Sequence, residues 1–197
     1  MIDNGIAIDC SALQTVGGIK QICLRSFKSG DAVTFSDDPA KHDVTKIVDS
    51  GASTATCNVF EFKNETADLT INATKENGST VFECGLTFMI PQINNVKMHE
   101  LQTMLNTCMM AIVVTSNDEK LVVGLSKKYA NSETSPEKNQ TFLNLVSMEG
   151  GTGAAYSDQN GLTISLMARQ FELPRQYDAA SGAGLAVNTS TLTATTT

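Results

Sequence analysis

The residues able to do chemistry in this chain are few, and their spacing suits no reaction. Of the two histidines, His99 is followed by Glu100-Leu101-Gln102-Thr103. The H-E-x-x-H arrangement that sets two imidazoles on one helical face over a zinc ion therefore lacks its second member. His99 reads as a solvated or hydrogen-bonded helix residue. His42 stands near Asp37, Asp38 and Asp43, the oxygen-rich company a divalent cation takes, but three acids in a polar stretch read as a solvated surface. The run GGTGAAY, Gly150 to Tyr156, has the glycines of a phosphate-cradling loop without the Lys-Ser/Thr pair that touches phosphate and magnesium. It reads as a turn between strands. SDQNGL, from Ser157, is similar to part of a calcium loop. Tyr156, however, occupies the place of the first carboxylate and Met167 that of the bidentate glutamate. No G-x-S-x-G elbow occurs. The expectation is a protein that is not an enzyme, with no catalytic residue, no cofactor and no metal site.

Five cysteines, Cys10, Cys23, Cys57, Cys84 and Cys108, are widely scattered, odd in number and without a C-x-x-C pair. They predict reduced thiols with packing roles rather than disulfides or metal ligands. The net charge of −7 and the scarcity of Lys/Arg clusters exclude a protein that grips nucleic acid by neutralising phosphates. Lys127-Lys128 is an isolated basic pair and reads as protection of a strand edge. The longest apolar runs, such as Met109 to Val114, fall far short of the ~20 residues a membrane helix needs. No basic and apolar leader pattern is visible in MIDNGIAIDCSALQ, so no secretory signal is expected. The N-x-[ST] triplets at Asn64, Asn72, Asn77, Asn139 and Asn188 then read as strand and turn composition.

The elements that surround these residues are mostly strands. From Ser79, Phe82, Cys84, Leu86, Phe88 and Ile90 occupy alternate positions, the period of a strand with one buried face. Leu69, Ile71 and Ala73 alternate in the same way before Asn77-Gly78, the dipeptide that best tolerates the positive φ angles of a type I′ turn. A hairpin from about Asp68 to Ile90 is predicted. Pro91 stops its second strand, and Asn94 or Asn95 caps a helix. Leu101, Met104, Leu105, Cys108 and Ile112 then recur at spacings of three and four, which predicts one amphipathic helix of roughly four turns ending near Met109. Met104 reads as core; Met98, Met109 and Met110 offer a packing surface against another subunit as the alternative to core, which is the favoured reading for them too. AIVVTS and LVVGLSKKY flank the turn NDEK as a second hairpin. TFLNLVSMEG, GLTISLMARQF, GGIKQICLRSF and CNVFEFKN are further strands. The polar stretch Lys28 to Thr56 reads as an extended arm, and residues 178–197 as a flexible Ala/Gly/Ser/Thr-rich tail.

The expected fold class is therefore mainly β, a sandwich or barrel of about eight strands with one amphipathic α-helix, in a single domain spanning 1–177. Two stretches carry a resemblance. One is CNVFEFKNETADLTINATKENGSTVFECGLTFMIPQINNVKMHELQTMLNTCMMAIVVTSNDEKLVVGLS and the other is GGTGAAYSDQNGLTISLMARQFELPRQY. Their order of strand, helix, hairpin and terminal D-x-N-G-L-T-I-S-L strand, over roughly Asn58 to Tyr177, resembles the tail-tube superfamily of bacteriophages. That group includes major tail proteins, tail-tube-like connector rings and the related tube proteins of type VI secretion.

The resemblance implies a structural virion protein. It implies a homo-oligomeric ring, hexameric or in connectors dodecameric, whose sheets join side by side around a lumen. Rings would stack into a tail tube and contact other phage tail or connector proteins. DNA would pass through the lumen without specific binding, no membrane would be involved, and assembly would take place in the host cytoplasm. The resemblance also places the helix over one sheet face and assigns the arm at 28–56 to contact with the adjacent ring. The alternatives are a head–tail connector ring, a capsid decoration protein, or a ligand-binding β-barrel with its alternating apolar residues around a pocket.

Overall fold

The structure is a computed structural model that describes residues 17–38, 41–51, 56–60, 62–63, 65–104, 106–127, 141–155, 158, 160–178 and 186–188. Its strands form two sheets. The larger contains β1 (Ile19–Ser26), β2 (Ala32–Phe35), β3 (Asp43–Val48), β4 (Thr56–Phe60), β7 (Met109–Thr115), β8 (Lys120–Val123), β11 (Arg175–Tyr177) and β12 (Ala186–Asn188), and runs in the order β12-β4-β1-β7-β8-β11-β3-β2. The smaller contains β5 (Asp68–Glu76), β6 (Ser79–Pro91), β9 (Asn144–Gly151) and β10 (Gly161–Gln170), in the order β5-β6-β10-β9. The helix α1 (Asn95–Met104) follows β6.

Alternation in the sequence decides which faces meet. Cys84, Leu86, Phe88 and Ile90 of β6 and Ile164, Leu166 and Ala168 of β10 pack against Ile22 and Leu24 of β1 and Met109, Ala111 and Val113 of β7. This is the core between the sheets. Phe60 meets the buried Phe88 edge-on at 6.2 Å between ring centres, the arrangement aromatic quadrupoles favour. The intervening residues of the same central strands, Cys23, Met110 and Ile112, face the other way into a second core with Val33, Phe35, Val44, Ile47, Val122 and Tyr177. β7 is thus buried on both faces. That is why its sequence is a continuous apolar run rather than an alternation.

The second core exists because the large sheet curls over itself. Arg25, on β1, reaches Asp31 at 2.6 Å and also pairs with Asp49, just beyond β3, although three strands separate β1 from β3 in the sheet. Asp31 is buried and fully occupied. It takes the Lys28 N–H at 2.9 Å and the Ser50 N–H at 3.0 Å as well. A buried carboxylate persists only when paired and hydrogen-bonded in this way. The ring of Phe35 lies under the Arg175 guanidinium at 5.1 Å, a cation–π contact.

Several sequence expectations change here. The strands number more than eight, and the polar stretch at 28–56 is not an extended arm. Within it β2 and β3 pair antiparallel, β3 pairs with β11, and Val33, Phe35, Val44 and Ile47 are buried. Strands of four and six residues set between Ser, Asp and Pro carry too little alternation to stand out. Deleting the stretch is expected to unfold the subunit. Of the tail, β12 pairs parallel with β4; apart from Asp178, the rest of 178–197 lies outside the described residues.

The helix spans Asn95–Met104, shorter than expected, and Met109 and Ile112 belong to β7. Asn94 caps it by accepting the Lys97 N–H at 2.8 Å. Leu101 packs into the core between the sheets and Met98 is exposed, while the Met104 side chain, expected in the core, lies outside the described residues. Leu105 lies outside the described residues, and Cys108 is exposed beyond the helix. The thiol expectation also fails for one pair. Cys23 and Cys57 form a disulfide between β1 and β4, with Cα atoms 5.8 Å apart. Both strands present these cysteines to the second core, which is what brings them together. Cys10 lies outside the described residues.

Candidate functional site

Among the described residues, the small sheet leaves one face and two long border strands uncovered. Its hairpin β5–β6 turns at Asn77 and Gly78, with φ of 47° and 86°. Glu76 pairs with Ser79, so the loop contains only these two residues, as the Asn-Gly dipeptide predicts. β6 then pairs with the whole length of β10, from Gly161↔Pro91 to Gln170↔Phe82. β9 closes the sheet with a one-residue irregularity between Leu145 and Ser147, where Val146 has no partner on β10.

Its outward face is largely polar. Across it lie Thr70, Asn72 and Thr74 of β5, Glu83, Gly85 and Thr87 of β6, and Thr163, Ser165, Met167 and Arg169 of β10. Thr87 and Ser165 share a hydrogen bond of 3.3 Å, and Arg169 pairs with Glu83 at 3.2 Å. Gly85 is needed where it stands, because a Cβ there would come within 2.7 Å of the Thr70 hydroxyl. Hydroxyls facing each other across strands stabilise a sheet without requiring a cover.

The two lateral borders are open as well. Among the described residues, β5 pairs only with β6 and β9 only with β10. Among the described residues each border therefore presents a row of backbone N–H and C=O groups with no neighbouring strand. One β-branched apolar side chain is exposed on each border strand, Ile71 on β5 (41%) and Val146 on β9 (57%).

The residues singled out for chemistry are placed apart from one another. His99 is exposed on α1, with its carbonyl accepting the Thr103 hydroxyl at 3.1 Å. His42 Nε2 donates to the Leu173 carbonyl at 2.9 Å, which joins β3 to the end of β10. Asp158 accepts the N–H groups of Ala154 and Ala155, each at 2.8 Å, and these bonds hold its pKa below the ordinary carboxylate value. It closes a turn. Lys127 lies beyond the end of β8, with its N–H on Glu172 Oε1 at 2.5 Å and its ammonium 5.8 Å from the Phe35 ring; Lys128 lies outside the described residues. No group of three or more His, Cys, Asp or Glu side chains is placed to hold a metal among the described residues.

A further polar cluster is a structural latch. Glu172 accepts from Nε and Nη2 of Arg175, at 3.0 and 2.7 Å, besides the Ser126 hydroxyl at 3.2 Å. Burial raises its pKa, but the bonds from Arg175 and from the Lys127 N–H outweigh that and leave it below the ordinary value. Beside it the buried Gln170 accepts the Gly124 N–H at 2.6 Å. Burial pushes the Cys84 thiol up to about 11, so it is inert, whereas Cys108 is exposed.

Sequence alone did not single out Ile71 and Val146 as the apolar residues left uncovered. Ile71 sits in the same alternation as Leu69, and nothing in its neighbours announces that its row runs past the shelter of the core.

Comparison with protein families, with curated proteins and with solved structures returns no match for this chain. Its architecture defines the class: a mainly β protein of two sheets with one short helix. No helix among the described residues is long and apolar enough to cross a membrane.

Proposed function

We propose that this chain is a structural virion protein of the tail-tube kind, a subunit that closes into rings which stack around a lumen for DNA. The observation that carries the reading is the small sheet, which is antiparallel throughout, largely polar on its outer face and, among the described residues, open along both borders. Such borders invite pairing with further strands unless they are covered or blunted. Copies of the same subunit supply those strands in a closed ring.

The dimensions suit a conduit. Six copies of a four-stranded sheet make a barrel of roughly 24 strands; at about 4.8 Å per strand and a tilt near 40°, it is about 45–50 Å across. The net charge of −7 supports passage rather than capture, since a negative protein offers a polyanion little to adhere to. A single head–tail connector ring would use the same borders, and the length of the assembly separates it from a tube. A capsid decoration protein or a ligand-binding barrel leaves the borders without a role.

Negative-stain microscopy of the purified protein, with sedimentation over a range of concentrations, tests the reading. Hollow rings or tubes are expected. A monomer that persists at high concentration and in native particles would overturn it.

A further inference from the structure

The four lateral borders of this fold are unequal. The large sheet ends in β12 and β2, of three and four residues, whereas the small sheet ends in β5 and β9, of nine and eight residues. Only the latter pair offers ladders long enough to hold two subunits together. Soluble proteins usually place charges, especially Lys, along such borders to prevent pairing. Here the charges stand only toward the strand ends, Asp68, Lys75 and Glu76 on β5 and Glu149 on β9, while residues 69–74 and 144–148 between them contain none, and each of these stretches exposes one β-branched apolar side chain.

Strand direction then selects how the borders meet. Every neighbouring pair in β5-β6-β10-β9 is antiparallel, and the strands are even in number, so β5 and β9 run in opposite directions. Setting the β9 border of one copy beside the β5 border of another in the same orientation makes a further antiparallel pair. No copy has to be turned over. The sheet continues with one hydrogen-bonding pattern through any number of subunits, and such head-to-tail contacts are the kind that generate rings. Pairing β5 with β5, or β9 with β9, instead requires a two-fold axis and ends the series unless the other border also pairs with itself.

We propose, on the footing of the ring reading, that the partner of the β5 border is the β9 border of the next copy. This heterologous seam lies along residues 69–74 and 144–148, and Ile71 and Val146 lose their exposure to water there. The unpaired residue at Val146 bends and twists the strand locally, which suits a border in a closed, curved sheet.

Two border-blocked variants of the full chain, Ile71→Lys and Val146→Lys, test the seam. Both sites are exposed, so each variant should fold, as melting followed by circular dichroism will verify. Each alone is expected to lose the ring and sediment as a monomer. A one-to-one mixture is expected to form dimers and nothing larger, because one variant keeps an intact β9 border and the other an intact β5 border. Dimers from either variant alone would mean like-with-like pairing and overturn the seam. Unchanged rings from both variants would also overturn it while leaving the ring reading in place. A wild-type chain that is always monomeric would remove both. Hydrogen exchange provides the same test without substitution: amides in 69–74 and 144–148 should slow at least tenfold on assembly, and equal exchange in ring and monomer would refute the proposal.

Discussion

The two sheets of this molecule solve opposite problems. The large one is finished within a single chain. It curls until its central strands are buried on both faces, fixes the curl with Arg25 between Asp31 and Asp49, ties β1 to β4 through Cys23–Cys57, and ends in short strands. The small sheet buries one face, leaves the other polar, and stops at two long borders with nothing paired to them among the described residues. Stability is thus concentrated in one region, and the capacity to assemble in the other. Substitutions in the two regions should therefore be read out by different instruments, melting for the first and sedimentation for the second.

The largest effects should come from the cores and from the ion group that holds the curl. Phe88→Ala removes a fully buried ring between the sheets and should destabilise the monomer by about 3–5 kcal/mol in urea titrations. Arg25→Met should cost about as much, roughly 3–5 kcal/mol, because it strands the buried Asp31 carboxylate without its cation. If Arg25→Met melts like the wild type, the curled sheet does not depend on that pair. Next comes the disulfide. Its cysteines lie 34 residues apart, and closing a loop of that length is worth about 3–4 kcal/mol on the chain-entropy account. The double variant Cys23→Ala/Cys57→Ala should lose stability in that range. Peptide mapping after alkylation of the native protein should find Cys108 labelled, and Cys84 and the bonded pair silent.

The parts of this design that sequence revealed are those in which local chemistry and burial agree. Asn77-Gly78 fixed the hairpin because positive φ is cheap for few other pairs, and the alternation through Phe82 to Ile90 matched the face that is buried. The helix was overrun because β7 is apolar at every position. A strand buried on both faces satisfies any period, so Cys108 and Ile112 seemed to extend a helical stripe that stops at Met104. β2 and β3 were hidden by their brevity, and the Cys23–Cys57 bond by the fact that only the pairing of β1 with β4 brings distant cysteines together. The open borders were invisible for a related reason. Whether Ile71 is covered depends on where the neighbouring strands end, and no residue near it in sequence encodes that.

A smaller effect should separate the latch at the end of β10 from the rest of the large sheet. Glu172 titrates below its ordinary value of 4.5 in the folded protein. Its contribution is therefore fully present above about pH 4.5 and is lost as pH falls through the lower folded value. Glu172→Gln keeps the shape but weakens the bonds to Arg175 and Lys127, at a cost of about 1–2 kcal/mol near neutrality. The variant's melting temperature should also fall less steeply than the wild type's as pH drops below about 4.5. Parallel curves for the two proteins would mean that other carboxylates govern the acid limb.

The smallest effects on folding should come from the outer face of the small sheet. Thr87→Ala and Ser165→Ala break a hydroxyl pair that water can replace on both sides. Each should change monomer stability by no more than about 0.5 kcal/mol. Ile71→Lys and Val146→Lys should be equally mild toward melting, because their side chains already meet water in the isolated subunit. The contrast is useful because the same two Lys substitutions are expected to abolish assembly. A residue that matters little to the fold and decisively to the oligomer is the signature of a border kept open for another copy. Should Ile71→Lys melt far below the wild type, Ile71 would belong to the subunit's own core, and the division between the two sheets would have to be redrawn.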